Sequence, residues 1–139
     1  MWELNVKSIF YLIKESKELL LKGGKESNIL VVSSLGATSP SYTIGVYNMT
    51  KAALNNMVVW LAQELMDDNI RVNAISPGLI KTEFSGPLWR ENSSIIPKSL
   101  GESHQIASVA VMMCSQDGSF VNGENYIVHG GFSKMWEKT

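Results

Sequence analysis

Val6, Ile9, Phe10, Ile13 and Leu20 recur at helical spacing, and this stripe predicts a helix from about Trp2 to Leu21 that stops at Gly23. Asn28 to Val32 is a short apolar run rich in β-branched residues, the signature of a buried parallel strand. Ser33 to Gly45, with its Gly, Ser and Thr residues and Pro40, reads as a loop. A second long helix is predicted from about Val46 to Met66. Leu54, Met57, Val58, Leu61 and Leu65 form its core stripe, and Ala52, Asn56, Val59, Trp60 and Gln63 form a second, mixed one. Ile70 to Ile75 is a further strand, ended by Pro77-Gly78, and Thr82 to Ser99 shows no period and is expected to be irregular. Ser103 is placed as the N-cap of a helix running to about Cys114, and Tyr126 to Val128 as the last strand. Helix-strand-helix-strand-helix-strand, with no repeat or linker, predicts one α/β domain over residues 1–139 with a parallel sheet and helical crossovers.

The chemistry gathers at the start of the second long helix. Tyr47 and Lys51 lie four residues apart, so they share one helix face. A phenol is a useful proton donor near neutral pH only when its pKa of about 10 is lowered. A nearby ammonium does this by favouring the phenolate. A serine hydroxyl such as that of Ser34 can steady the carbonyl or alkoxide that exchanges a proton with the phenol. The layout suits interconversion of a carbonyl and an alcohol, with a nicotinamide cofactor carrying the hydride. Taken alone, a Tyr and a Lys at this spacing can equally be an exposed helical pair.

The wider pattern resembles the short-chain dehydrogenase/reductase family. Ser34 stands thirteen residues before Tyr47, as the family's active-site serine does. Asn5 in Asn5-Val6-Lys7-Ser8 is similar to the family's helix-borne asparagine. Arg71-Val72-Asn73-Ala74-Ile75-Ser76-Pro77-Gly78 is similar to the strand and turn beside the nicotinamide, and Gly123 to Gly131 to the last strand. The resemblance implies that Tyr47 gives the proton, that Lys51 lowers its pKa and holds the nicotinamide ribose, that Ser34 orients the substrate oxygen, and that Asn5 positions a water linking Lys51 to solvent. It implies cofactor contacts from Tyr47, Lys51, Pro77, Gly78, Ile80 and Thr82, and a loop-tying role for Asn73. Phe84, Leu88 and Trp89 could line a substrate pocket or equally pin a loop; Tyr42 and Ile44 are further pocket candidates. The stretch Pro77 to Ser85, with Leu88-Trp89, is similar to a branch of carbonyl reductases, which implies NADPH in preference to NADH and rather apolar, retinal-like carbonyl substrates.

The resemblance covers only part of the family's pattern. A dinucleotide site needs a glycine-rich turn between a first strand and a helix. Gly23-Gly24 follows a predicted helix and Gly130-Gly131 lies near the C-terminus, so neither fits. The expectation is the C-terminal half of a Rossmann-type doubly wound parallel sheet, lacking the N-terminal dinucleotide-binding βαβ units. NAD(H) against NADP(H) is not decided by these residues. Two functions stand: an NAD(P)-dependent oxidoreductase of carbonyls or alcohols, and a catalytically silent truncated chain that only pairs with full-length relatives. Val59 and Trp60 either face another subunit, as the family's pairing of this helix and the Asn5 helix implies, or pack within the chain. The strand at Asn28 to Val32 is expected to leave an apolar edge open and to promote self-association.

Composition narrows the partners. A net charge of −1 argues against nucleic acid. Cys114, the only cysteine, cannot form an internal disulfide and is expected in the core on its helix. His104 and His129 show no metal-ligand spacing. No apolar run approaches the ~20 residues of a membrane span. The start at Met1-Trp2-Glu3-Leu4 lacks a secretory pattern, and the end at Trp136-Glu137-Lys138-Thr139 is not a peroxisomal signal; Ser133-Lys134-Met135 is internal. The expectation is an intracellular, cytoplasmic protein, with peroxisome and mitochondrion left open. Asn48-Met49-Thr50 and Asn92-Ser93-Ser94 match the glycosylation triplet by chance.

Overall fold

Three strands, β1 (Asn28–Val32), β2 (Arg71–Pro77) and β3 (Asn125–Val128), pair in parallel in chain order, with β2 in the middle. The register sets Val31 beside Ala74 and Ile75 beside Tyr126. The computed structural model describes residues 1–24, 27–90 and 100–131. Around the sheet lie α1 (Ser8–Lys22), α2 (Gly45–Glu64), a short α3 (Gly86–Arg90) and α4 (Ser103–Cys114). This is the expected parallel α/β arrangement.

The core follows from the helical and strand periods. Leu54, Val58, Leu61, Ala62 and Leu65 of α2 and its end pack on Ile13, Val31, Val72 and Ala74. Ile9, Leu20, Ile29 and Met57 fill in around them. Each fully buried Leu, Ile or Val among them contributes roughly 1.5–3 kcal/mol by leaving water, and the alanines and partly buried side chains less. The second stripe of α2 stays outside: Val59 and Trp60 are about half exposed, and Trp60 stacks on Phe10 at 6.2 Å. Lys17 pairs with Asp68 at 2.8 Å, a further tie between α1 and the end of α2.

Several boundaries differ from those the sequence predicts, each for a local reason. The first helix opens with a π turn, Glu3–Lys7, before α1 begins. Gly23 is the C-cap as expected, and Gly24 beside it takes φ +65, the left-handed conformation that stops a helix. Strand β2 runs on through Pro77, which its position at the strand's end permits, since β3 still pairs with it there. Ser103 is not the N-cap of α4. Glu102 holds that place in a capping box with Gln105, so both orphan N–H groups are met by longer side chains. Cys114 is exposed, not in the core, because it closes α4 one residue beyond the buried Met113. The stretch expected to be irregular contains α3; residues 91–99, with the triplet Asn92-Ser93-Ser94, lie outside the described residues, as does 132–139.

One edge of the sheet is open among the described residues. Arg71 N donates to Ser27 O at 3.2 Å and Ser33 N to Ile75 O at 2.8 Å. Alternation then turns the backbone groups of Asn28, Leu30 and Val32 away from β2. The open edge expected from the sequence is therefore present, and the Val32 side chain is 56% exposed.

Candidate active site

The carboxyl ends of parallel strands in an open α/β sheet make a crevice for ligands. Here that end carries Ser33-Ser34 after β1 and Gly78 onward after β2, with the start of α2 beside them. Helix α2 begins without a side-chain cap: its N-cap, Ile44, offers no acceptor. Its first turns are held from the flanks instead. Asn48 Nδ2 donates to Ser41 O at 3.1 Å, and Ser33 Oγ donates to Lys51 O at 3.2 Å. Asn5 Nδ2 donates to Thr50 Oγ1 at 3.0 Å, and that hydroxyl donates to Tyr47 O at 2.7 Å.

On this turn Tyr47 and Lys51 share a face as the spacing requires, with the Lys51 ammonium 5.6 Å from the centre of the Tyr47 ring. Lys51 Nζ also donates to Val32 O at 2.9 Å, a carbonyl on the open edge of β1. Ser34 caps the short turn Leu35–Ala37, its Oγ accepting from Gly36 N at 3.1 Å, which leaves its own proton free to be donated. Asn5 sits in the π turn and is tied to Thr50 rather than to Lys51. Asn48 and Thr50 are 3% and 1% exposed, so the acceptor asparagine and the hydroxyl residue of the first glycosylation triplet are buried, while Met49 between them faces outward.

Burial pushes the Lys51 ammonium below the ordinary lysine value of 10.5. Between the two values the unfolded chain holds more protons than the folded one, so stability rises with pH as 10.5 is approached from below. Lys51→Met is expected to flatten that rise, read from urea midpoints at a series of alkaline pH values.

The loop after β2 is pinned at both ends. Gly78 N donates to Val128 O at 2.9 Å, and a Cβ at Gly78 would lie 2.8 Å from that of His129, so only glycine fits without shifting β3. Ile80 bridges to Gly101, and Lys81 N donates to Gly101 O at 2.8 Å. Further on, Ser85 is a hub. It contacts Thr82 Oγ1 at 3.0 Å, accepts from Trp89 Nε1 at 3.1 Å and donates to Ile80 O. Arg90 lies over the Trp89 ring at 5.0 Å and pairs with Glu83 at 2.9 Å.

The pocket candidates Phe84, Leu88 and Trp89 differ in exposure and in what holds them. Trp89 is pinned through its indole N–H, yet it also helps line a cavity of about 370 Å³ with Lys81, Thr82, Glu83 and Glu102. Phe84 is 84% exposed and Leu88 42%. Tyr42 lies in the turn Tyr42–Ile44, and its side chain falls outside what the structure describes. Asn73 joins neighbouring segments: its amide donates to Val121 O at 2.8 Å and its oxygen accepts from Glu124 N at 3.0 Å. Among the described residues no three His, Cys, Asp or Glu side chains gather as a metal site, and no helix is long and apolar enough to cross a membrane. Sequence reasoning missed Thr50 and Ser85. The signal for Thr50 was a hydroxyl three residues after Tyr47 on a helix; nothing in the spacing marked Ser85.

Comparison with known proteins gives the frame for this geometry. Residues 1–133 match the family model described as Enoyl-(Acyl carrier protein) reductase. Dehydrogenase/reductase SDR family member 4 of Bos taurus is 36% identical over 137 residues, 93% of this chain and 48% of that protein. The Homo sapiens protein of the same name is 37% identical over 93% of this chain and 49% of its own length. Among solved structures, the short-chain dehydrogenase/reductase SDR:Glucose/ribitol dehydrogenase of Brucella melitensis superimposes with a TM-score of 0.85 at 34% identity, over 94% of this chain and 56% of that one. A 4-hydroxyisoleucine dehydrogenase complexed with NADH gives 0.83 at 26%, over 96% and 58%. The chain spans about half the length of the curated relatives it matches. Its sheet, its strand-end loops and these matches agree: the chain belongs to the short-chain dehydrogenase/reductase family of oxidoreductases, with a Rossmann-type α/β fold.

Proposed function

We propose that these residues form the proton-transfer and nicotinamide-ribose half of a carbonyl reductase or alcohol dehydrogenase that uses NAD(P). The observation that carries the reading is the half-buried Lys51 ammonium 5.6 Å from the Tyr47 ring, at the carboxyl end of the sheet. The donor set suits the ribose end of the cofactor: an ammonium for the sugar hydroxyls, and the Pro77–Thr82 loop, whose Thr82 hydroxyl and backbone offer groups for a carboxamide. When bound, the cofactor supplies or accepts the hydride. Tyr47 holds the proton that goes to the substrate oxygen, Lys51 favours its phenolate, and Ser34 directs its hydroxyl proton to that oxygen. NADPH is preferred by likeness to the carbonyl-reductase branch; a solved relative holds NADH. Among the described residues, the hydrophobic cluster that joins α1, α2 and the sheet supports reading residues 1–139 as a single domain. The compartment proposed is cytoplasmic, with the mitochondrion a second candidate, since one relative is named dehydrogenase/reductase SDR family member 2, mitochondrial.

These residues contain no glycine-rich strand-to-helix turn, so the 139-residue chain alone is expected to show no micromolar affinity for NADPH. The test joins it to the glycine-rich half of a relative and follows deuterium from the 4-position of labelled NADPH or NADH to a ketone or aldehyde. Label in the alcohol carbon supports the proposal. Cofactor binding without any transfer, across a panel of carbonyls, would overturn it.

A second reading is a silent chain that pairs with longer relatives. The half-exposed Val59 and Trp60 favour such a contact, since large apolar side chains grouped on an exposed face mark interaction sites. Trp60→Glu is expected to shift the assembly toward monomer in light scattering, with little change in the folded fraction.

A further inference from the structure

We propose that Thr50 is a positioning residue for the proton-transfer pair, because its hydroxyl ties the turn bearing Tyr47 and Lys51 to Asn5 in the preceding helix. The inference rests on the proton-transfer roles of Tyr47 and Lys51 proposed above. Thr50 stands between the two in sequence and is 1% exposed. Its Oγ1 donates to Tyr47 O at 2.7 Å, a local bond that a helical threonine can make unaided. The bond from Asn5 Nδ2 at 3.0 Å is different in kind, since it spans 45 residues and joins two helical segments.

Two features make that cross-link matter at the site. Helix α2 lacks a side-chain cap, and an uncapped first turn frays unless something else holds it. A few tenths of an ångström of fraying there would move Tyr47 and Lys51 with it. The donor also comes from a π turn, a wider coil than the α-helix and one frequent at functional sites. Asn5 N still donates to Met1 O at 2.8 Å, so the local backbone ladder is kept while its side chain is committed to Thr50. Asn5 therefore acts on Lys51 at second hand, through Thr50 and the turn.

The consequence falls on Lys51. Its ammonium is held near the Tyr47 ring and the Val32 carbonyl in a half-buried place. A loosened turn would let it reach water.

The test is NMR titration of the Lys51 side-chain signals in the labelled 139-residue chain. Thr50→Val keeps the shape and removes both hydrogen bonds. It should move the Lys51 titration upward, toward 10.5, whereas Thr50→Ser should leave it in place. Asn5→Ala should give the same upward movement, and the double variant no more than either single one, as expected for one shared interaction. Loss of stability alone would not produce this pattern. Should Thr50→Val fail to fold, Asn5→Ala, at a half-buried position, gives the same reading. An unmoved Lys51 titration in Asn5→Ala, or effects that simply add, would overturn the proposal. Failure of labelled hydride transfer, with the Lys51 pattern intact, would instead count against the proposed reaction and leave the cross-link standing.

Discussion

Tyr47→Phe is expected to remove nearly all carbonyl reduction when the chain is joined to a glycine-rich cofactor half, with cofactor affinity almost unchanged. The phenylalanine keeps the ring beside the Lys51 ammonium, which lies 5.6 Å from its centre, and takes away only the hydroxyl. General acid catalysis by a positioned side chain is worth about 10²–10⁴-fold. The fall should therefore be in that range and should appear in kcat, because the hydroxyl matters most where the substrate oxygen gains its proton. Steady-state kinetics together with cofactor fluorescence titration separates the two quantities. Turnover above a tenth of the unmodified rate would point to another proton donor. Loss of affinity matching the loss of rate would mean the substitution had disturbed the site as a whole.

Leu54→Ala is expected to destabilise the fold by about 2–5 kcal/mol, a large share of what holds a small domain together. Leu54 is 0% exposed and belongs to the cluster that joins α2 to the sheet, with Val58, Val72 and Ala74 as fellow members. Its removal leaves a cavity that neighbouring backbone cannot close, since helix and strand meet there as rigid elements. It lies only three residues beyond Lys51, so the loss is also expected to loosen the turn that bears Tyr47 and Lys51. Urea unfolding followed by circular dichroism measures the effect. Val59→Ala on the opposite stripe, 47% exposed, is the control and should cost well under half as much. Equal costs at the two positions would mean that α2 packs through a different face.

The elements that the sequence revealed are those with a clear period and a long run. The two α2 stripes separate as expected: Leu54, Val58, Leu61 and Leu65 are buried, while Val59 and Trp60 are about half exposed. Strand β1 was legible to the residue because β-branched side chains fill it between a helix stop and a loop. Cap identity was less legible. Ser103 looks like an N-cap by type, but the reciprocal reach of Glu102 and Gln105 decides the start of α4, and that depends on side-chain length. Cys114 was misplaced because hydropathy says nothing about which turn of a helix runs past the sheet. At the candidate site, Tyr47 and Lys51 announce themselves by spacing. The Asn5–Thr50 bond does not, because its partners come together only once the first helix and α2 have packed.

The central place of β2 sets a timetable for the ribosome. Strand β1 pairs only with β2 among the described residues, yet Arg71 leaves the exit tunnel about forty residues after Val32. At synthesis rates of about 5–20 residues per second, a nascent chain carries the Asn28–Val32 segment without its β2 partner for several seconds. During that interval the backbone flank that β2 will cover is bare, so slowing translation between the two strands should increase its dependence on chaperones.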